Sequence, residues 1–353
     1  MEQLLKQWFT MTQSRIALGA VILFLIVHIA DVFGCNSPKF YNANSRKHNN
    51  WKVVPIDTCG VRKGSEEILT PSAKGAEWKQ YPWMALINSF NEDGSKVRCG
   101  GAIISDRFVL TAAHCVSLGA KITVTLGEQS LLNSLTCDDD ACSCSEPSDQ
   151  PVHRTCGEKV IIHPDYKSRE DGLHQQNDIA LIRLQKHVHK YNDTSATRLT
   201  PICLPAFAKD TQFLEHKLLE IAGLGRPHLT DDISNSPLQT MRVPMVAQKD
   251  CENIWSNELV KESLCPGGET NCMWAVSNKF ICTNGIKEIG LCSGETGVPL
   301  MAQVPLDRRG DVSKLFIVGL ASQISGKRKR FSCPDVFTRV SSYMTWILDT
   351  IGE

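Results

Sequence analysis

The stretch CGGAIISDRFVLTAAHC runs from Cys99 to Cys115 and carries His114 as its last residue but one. Two further motifs follow along the chain: NDIALIRL contains Asp178, and CSGETGVPL contains Thr296. A hydroxyl becomes an effective nucleophile at neutral pH only when an imidazole accepts its proton and a carboxylate holds that imidazole in one tautomer. The order histidine, aspartate, hydroxyl therefore predicts such a site, against the alternatives of a buried, satisfied histidine and a turn aspartate.

Strand patterns dominate the rest of the chain. KITVTL places Ile122, Val124 and Leu126 on one face, whereas IALIRL and KLFIVGLAS are apolar on both faces. Clear helical spacing occurs only in the tail, after a predicted cap at Ser341 or Ser342. Many strands without interleaved helices favour closed barrels or sandwiches over a parallel sheet, so the chain is predicted to be all-β.

The composition describes a globular protein with a sizeable core. The chain has 353 residues, 42% of them hydrophobic, and its 38 basic and 38 acidic side chains give a net charge of zero. A neutral chain has no long-range field to gather phosphates, which argues against nucleic acid as a partner. The basic run at 327–330 is suited to an acidic surface or a polysaccharide, but is more simply explained as a solvated loop.

The N-terminus indicates the compartment. The apolar run IALGAVILFLIVHIA at 16–30 follows basic residues and precedes small ones, which predicts a signal peptide at 1–34 and a mature chain beginning at Cys35. An uncleaved membrane anchor is the alternative, but the run is short and interrupted by His28. We therefore expect a secreted, extracellular protein that is free of the membrane after cleavage and glycosylated at the sequon of Asn192.

Taken together, the three motifs resemble those of the chymotrypsin-like (S1) serine proteases. The resemblance covers roughly residues 68–353 and includes PWMALI from Pro82 and PICLP around Cys203. It implies two six-stranded antiparallel β-barrels with a C-terminal α-helix, and an active cleft between the barrels. It also implies a peptidase-like domain at 68–353, preceded by an N-terminal segment at 35–67 that is tethered through Cys59.

The nucleophile motif departs from the family pattern GDSGGP, because residues 294–299 read GETGVP. The resemblance makes His114 the general base and Asp178 its orienting carboxylate, and it places Thr296 where the family has serine. Threonine is stiff at χ1, and a misplacement of about 1 Å can cost about a hundredfold in rate. The oxyanion hole implied by the resemblance consists of the backbone amides of Gly294 and Thr296.

The activation region departs as well. In active family members a new N-terminal ammonium pairs with an aspartate at the position of Glu295, and the longer glutamate would require the loop to shift. Cleavage in the family usually follows a basic residue before a motif such as IVGG, whereas Leu69 and Thr70 lie near that junction here. Arg62 and Lys63 lie upstream, but a cut there would release a different terminus. The combined departures favour a loss of catalysis.

The specificity pocket implied by the resemblance is less clear. Gly290 lies at its base, where trypsin-like members carry an aspartate, and Asp335 lies on the facing wall, where glycine is common. Ser322 and Ile324 would line the entrance, which Ile324 would narrow. Asp335 could bind a basic side chain, although an ordinary loop position for it is an equal alternative.

Fifteen cysteines suit an oxidising compartment. Cys35 remains open to an intermolecular disulfide or a free thiol, and Cys265 could close a small loop with Cys272. An acidic insertion contains four further cysteines, which can pair in three ways, and the sequence does not choose among them. A zinc site formed by these cysteines is a disfavoured alternative. These four are Cys137, Cys142, Cys144 and Cys156. The disulfides implied by the resemblance are Cys99–Cys115, Cys59–Cys203, Cys251–Cys282 and Cys292–Cys333.

We predict a secreted S1 homologue that is catalytically inactive. The resemblance implies that it serves as a cofactor or regulator in an extracellular proteolytic cascade of the immune, melanisation or clotting type. Cascade proteases or their substrates are the expected partners, with the insertion at 137–156 as a candidate contact loop. No cofactor is expected; Glu128 resembles one family calcium ligand, but calcium needs six or more oxygens. The alternatives are a weakly active endopeptidase that uses Thr296 and a purely structural or adhesive protein.

Overall fold

The described part of the computed structural model contains thirteen strands and two short α-helices. It covers residues 48–62, 74–75, 80–127, 152–168, 175–188, 199–205, 214–224, 238–256, 278–283, 296–306, 313–323 and 335–353. The predicted signal peptide and the activation junction at Leu69 and Thr70 lie outside these ranges, so both stay predictions. The elements are β1 (Lys74–Gly75), β2 (Met84–Phe90), β3 (Lys96–Ile103), β4 (Phe108–Thr111), β5 (Lys121–Leu126), β6 (His153–Ile162), β7 (Ala180–Leu184), β8 (Leu218–Gly223), β9 (Gln239–Pro244), α1 (Gln248–Ser256), β10 (Phe280–Thr283), β11 (Pro299–Pro305), β12 (Ser313–Gln323), β13 (Asp335–Arg339) and α2 (Met344–Ile351).

The first sheet is a closed antiparallel barrel with the strand order β2-β3-β4-β7-β6-β5. The strands β2, β3 and β4 pair in sequence order, as short antiparallel connections allow, whereas the pairing of β4 with β7 and of β2 with β5 closes the barrel between strands distant in sequence. In β5 the predicted inward residues are buried, but Thr123 and Thr125 are buried too. The alternating pattern of KITVTL therefore indicates a strand correctly, while both faces of that strand are covered.

The second sheet contains six longer strands in the order β9-β8-β11-β12-β13-β10, with the two-residue strand β1 added beside β9. All of its ladders are antiparallel. An isolated bridge between Met245, just after β9, and Thr283, at the end of β10, joins the two ends of the six-stranded order. The prediction of two six-stranded antiparallel barrels is confirmed.

The predicted C-terminal helix is α2, whose Ile347, Leu348 and Ile351 are buried. The predicted cap was wrong, because Ser341 and Ser342 lie inside the 3-10 turn that precedes α2. The hydroxyl of Ser342 donates to the carbonyl of Asn278 at 3.4 Å instead of capping the helix. Helix α1 was not predicted. Within the described residues, neither helix is long and apolar enough to cross a lipid bilayer.

Residues 48–62 form a segment that ties the start of the described chain to its end. His48 Nε2 lies 2.8 Å from Asp349 Oδ1, and Asn50 Nδ2 donates to the carbonyl of Leu348 at 3.0 Å, both on α2. Trp51 of the same segment is buried in the main core. The disulfide from Cys59 to Cys203 then fastens the segment further along.

The structure describes two more of the disulfides implied by the resemblance. Cys99–Cys115 joins β3 to the turn after β4, and Cys251–Cys282 joins α1 to β10. Cys156 on β6 is also disulfide-bonded. The remaining cysteine predictions lie outside the described residues: Cys35, Cys137, Cys142, Cys144, Cys265, Cys272, Cys292 and Cys333.

Trp83 links the two barrels. It lies immediately before β2 in the first barrel, is completely buried, and its Nε1 lies 3.3 Å from Sδ of Met301 on β11 in the second. Tyr81 packs edge-on against its ring at 6.1 Å. A large aromatic side chain in this position stabilises both the barrel and the contact between barrels.

We expect Trp83→Ala to lower the free energy of unfolding by about 3–5 kcal/mol, because it removes a fully buried indole. The control is Leu118→Ala, whose side chain is 75% exposed and which should change stability by less than about 0.5 kcal/mol. Urea unfolding followed by fluorescence measures both. Similar losses for the two variants would contradict the role assigned to Trp83.

Candidate functional site

The structure brings His114 and Asp178 together. His114 lies in a single 3-10 turn, Ala113–Cys115, between β4 and β5, and the Cys99–Cys115 disulfide fixes that turn to β3. Its Nδ1 lies 2.8 Å from Asp178 Oδ2, and its backbone N–H donates to Asp178 Oδ1 at 3.0 Å. In the neutral ring, Nδ1–H donates to the carboxylate and Nε2 is left as the proton acceptor, which is the tautomer a general base needs.

The second barrel supports the carboxylate. Asp178 has no exposed surface, and Ser322 Oγ on β12 donates to its Oδ2 at 2.5 Å. Thr338 Oγ1 on β13 donates to the backbone carbonyl of Asp178 at 2.9 Å. Ser322 is also predicted to line the entrance of the specificity pocket, and that role stays a prediction. Its contact with Asp178 was missed, since the two residues are 144 positions apart.

The residue before the carboxylate is held equally firmly. Asn177 has a left-handed backbone with φ of 52°, a conformation that asparagine tolerates better than most residues. Its Nδ2 donates to the carbonyl of Asp165 at 2.7 Å, while its Oδ1 accepts from Lys279 Nζ at 2.8 Å and from Tyr343 OH at 3.1 Å. These contacts fix the turn that points Asp178 at His114.

A second aromatic cluster backs this turn. The ring of His163 lies edge-on to Tyr343 at 5.2 Å and tilted against Trp346 at 5.1 Å. Burial raises the pKa of Tyr343, with the negative charge of Asp178 adding to the effect. Burial is also the main cause that lowers the pKa of His163; the Lys279 cation lowers it further, and Asp165 opposes the shift. Both rings are therefore held in their neutral forms at neutral pH.

Thr296 lies at this site, but its hydroxyl is directed at the disulfide. Its Oγ1 lies 3.4 Å from Cys99 Sγ and 3.7 Å from Cys115 Sγ. Because both sulfurs are in a disulfide, the hydroxyl is the only donor available for these contacts. His114 Nε2 is itself 3.8 Å from Cys115 Sγ. Among the hydrogen bonds of the described residues, none joins Thr296 to His114.

Gly297 fixes the chain beside Thr296 in the space between the barrels. The carbonyl of Thr296 accepts from the N–H of Gly100 on β3 at 2.9 Å, and the N–H of Gly297 donates to the carbonyl of Ala321 on β12 at 2.7 Å. Gly297 has φ of 79°, and a Cβ there would lie 2.5 Å from the carbonyl oxygen of Gly100 and 2.6 Å from Thr111 Oγ1. The position of Thr296 is thus imposed by close backbone packing.

Asp335 is the first residue of β13, is buried, and lies opposite Thr283 of β10. Its role in a specificity pocket stays a prediction, because Gly290 and Ile324 lie outside the described residues. The same holds for the oxyanion residue Gly294, for Glu295, for the glycosylation site Asn192 and for Glu128 as a calcium ligand.

One cluster of metal-ligand types occurs among the described residues, formed by Cys99, His114 and Cys115. Both cysteines are in the disulfide and present no thiolate, so the cluster does not have the chemistry of a zinc site.

Comparison with known proteins gives consistent matches. Residues 71–347 match the family described as Trypsin. The chain is 32% identical to CLIP domain-containing serine protease HP8 of Bombyx mori over 90% of this chain and 80% of that one. It is 31% identical to phenoloxidase-activating factor 3 of Holotrichia diomphalia, with coverages of 83% and 74%. The solved Grass clip serine protease of the Toll pathway, from Drosophila, aligns over 88% of this chain and 78% of that one, with a TM-score of 0.56 and 23% identity, which supports the fold.

We expect Gly297→Ala to destabilise the protein by clearly more than the roughly 1–2 kcal/mol of a left-handed alanine, because the new methyl group would also collide with Gly100 and Thr111. Gly94→Ala is a matched control, since Gly94 has a similar φ of 81° but no neighbour within 4 Å of an added Cβ. Urea unfolding compares the two. Equal losses of unfolding free energy in the two variants would show that close packing does not constrain the backbone at Thr296 and Gly297.

The lowered pKa of His163 predicts an acid-sensitive stability. The unfolded chain binds a proton at this residue more readily than the folded one, so its contribution is present above about pH 6.5 and is lost as pH falls below that value. His163→Phe keeps an aromatic ring between Tyr343 and Trp346 but cannot be protonated. The melting temperature of this variant should fall less than that of the wild type between about pH 7.5 and 5. If the melting temperatures of the two proteins fell in parallel with pH, His163 would not be the source of the acid sensitivity.

Proposed function

This chain belongs to the trypsin family of serine proteases, and we propose that it is a secreted, non-catalytic member that acts by binding. The proposed role is that of a cofactor or regulator in an extracellular proteolytic cascade of the immune, melanisation or clotting type. The relatives support such a role, since one is a phenoloxidase-activating factor and another is melanization protease 1 of Drosophila melanogaster. Cascade proteases or their substrates are the proposed partners.

The observation that carries the proposal is the position of the Thr296 hydroxyl. The base is in place, with His114 held by Asp178, yet the hydroxyl that should donate to it lies against the Cys99–Cys115 disulfide. Moving the hydroxyl toward His114 requires rotation about a β-branched χ1, which is restricted. The backbone that follows is held as well, since Gly100 binds the carbonyl of Thr296 and Ala321 binds the N–H of Gly297. A site that positions its base but not its nucleophile supports binding over turnover.

A binding role uses the parts of the family fold that this chain keeps. Both sheets and the buried Asp178 are formed in the described part of the chain, which provides a scaffold for surface loops that contact a partner. In the same proposal the insertion at 137–156 contributes to partner contact, and Cys35 is available for a disulfide to a second protein. Nucleic acid and cofactors have no part in it.

The second candidate is a weakly active endopeptidase that uses Thr296 as its nucleophile. The intact pair of His114 and Asp178 favours it, because the proton acceptor is already oriented. The two candidates differ in whether the imidazole of His114 is needed for function.

Labelling with a fluorophosphonate tests catalysis directly. We expect Thr296 of the mature protein to react at least about a hundredfold more slowly than the serine of an active trypsin-like protease, because the hydroxyl is misplaced relative to its base. Mass spectrometry locates the adduct, and Thr296→Ala is the control for labelling elsewhere. Stoichiometric labelling at Thr296 that disappears in His114→Ala would establish the endopeptidase instead.

A reconstituted cascade tests the binding role. Thr296→Ala should stimulate or inhibit such a cascade as well as the wild type does, because it removes only a hydroxyl that lies against the Cys99–Cys115 disulfide. The predicted insertion at 137–156 overlaps β6, which begins at His153, so its last four residues belong to the first barrel. A variant shortened only within residues 137–151 should bind its partner more weakly. Loss of the effect in a Thr296→Ala variant that keeps the wild-type melting temperature would assign the function to catalysis.

A further inference from the structure

A buried charge cluster lies in the second barrel, away from His114. Its centre is Glu220 on β8, whose side chain is 3% exposed. The carboxylate accepts from Arg62 Nη1 at 2.9 Å, from Arg242 Nη2 at 3.0 Å and from Tyr81 OH at 3.0 Å. Arg62 also reaches Gln303 Oε1 at 3.4 Å. Buried carboxylates are stable only when charged partners and hydrogen bonds replace their lost hydration, and Glu220 has both.

Arg62 is the unusual member of this cluster, because it belongs to the N-terminal segment rather than to a barrel strand. Its side chain is only 10% exposed, although arginine is normally one of the most exposed residue types. The guanidinium is therefore held by the barrel at the point where the segment leaves Cys59.

The backbone just before Arg62 is held as well. Cys59 is bonded to Cys203, the N–H of Gly60 donates to the carbonyl of Pro201 at 2.8 Å, and the carbonyl of Gly60 accepts from the N–H of Leu315 at 3.0 Å. The hydroxyl of Thr200 donates to the carbonyl of Val61 at 3.4 Å. Each residue from Cys59 to Arg62 is thus fastened to the domain by a side-chain or backbone contact.

The contacts of Arg62 and of the backbone before it affect whether another protease can cleave after Arg62. A protease that cleaves after basic residues must take the arginine side chain into its own pocket and hold the preceding backbone extended in its cleft. Arg62 satisfies the sequence requirement, but its guanidinium and its upstream backbone are occupied by the domain. Cleavage therefore requires a local opening that breaks the contacts with Glu220 first.

We propose that Glu220 controls proteolytic processing at Arg62 by withholding this side chain from trypsin-like proteases. The reaction that it controls is hydrolysis of the Arg62–Lys63 bond by a second protease, in which one water yields the carboxylate of Arg62 and the ammonium of Lys63. The folded protein is resistant at this bond, and it becomes a substrate when the ion pair is broken. This inference is independent of whether Thr296 is catalytic.

Limited digestion of the full chain with trypsin tests the proposal. The samples are reduced after quenching, because the Cys59–Cys203 disulfide would otherwise hold the products together, and mass spectrometry identifies each cut. The wild type unfolded in urea gives the intrinsic cleavage rate at Arg62–Lys63. We expect the native wild type to be cut there at least about a hundredfold more slowly, and Glu220→Gln to be cut at least about tenfold faster than the native wild type, since a charge-assisted hydrogen bond is lost.

Two further variants keep the test decisive. Arg62→Lys leaves the pair of Glu220 and Arg242 intact, so it preserves the fold while replacing the forked guanidinium with a shorter ammonium, and it should also be cut faster at the same bond. Glu215→Gln removes a carboxylate that accepts from the backbone of Gln248 and does not contact Arg62, and it should match the wild type. Thermal unfolding of each variant identifies any global loss of structure.

Rapid cutting after Arg62 in the native wild type would overturn the proposal. Continued resistance of both Glu220→Gln and Arg62→Lys would overturn it too, because protection would then come from the backbone alone. Acceleration in Glu215→Gln equal to that in Glu220→Gln would show that any lost carboxylate exposes the bond, and would also overturn it.

Discussion

The arrangement at the centre of this protein depends on supplying hydrogen-bond donors to the carboxylate of Asp178, which has no exposed surface. A buried carboxylate must replace water with donors of good geometry, and a single element cannot supply them. Here the first barrel supplies the backbone and ring N–H groups of His114, and the second supplies the hydroxyl of Ser322. The two barrels are therefore held in a fixed relation by the same contacts that orient the imidazole.

This constraint explains how a proteolytic architecture can persist beside a threonine at the nucleophile position. Removing His114 or Ser322 would leave a buried charge short of donors, which destabilises the fold whether or not the protein cleaves peptides. Thr296 is under no such constraint, since its hydroxyl contacts only disulfide sulfurs among the described residues. An intact pair of His114 and Asp178 is therefore expected for structural reasons even in a protein without catalysis. The residue at the nucleophile position is the better indicator of catalytic activity.

Much of this could be predicted from the sequence, because the relevant signals are local or ordered along the chain. The alternation of KITVTL and the continuous apolar runs IALIRL and KLFIVGLAS predicted strands where the structure has β5, β7 and β12. The motifs around His114, Asp178 and Thr296, in that order, predicted the family. Helix α1 and the 3-10 turn before α2 escaped prediction, since tertiary contacts such as that of Ser342 with Asn278 override the local capping pattern.

The cluster around Glu220 could not be predicted from the sequence either. It unites residues 62, 81, 220 and 242, whose separations carry no periodic signal and whose pairing depends on which strands become neighbours. The segment that delivers Arg62 begins on α2, through the contacts of His48 and Asn50 with the last helix. A load applied to the chain ahead of residue 48 would therefore reach α2 first, and from Trp346 and the adjoining Tyr343 it would pass to the turn that holds Asp178, so the mechanics of the N-terminal segment and the geometry of the site are linked.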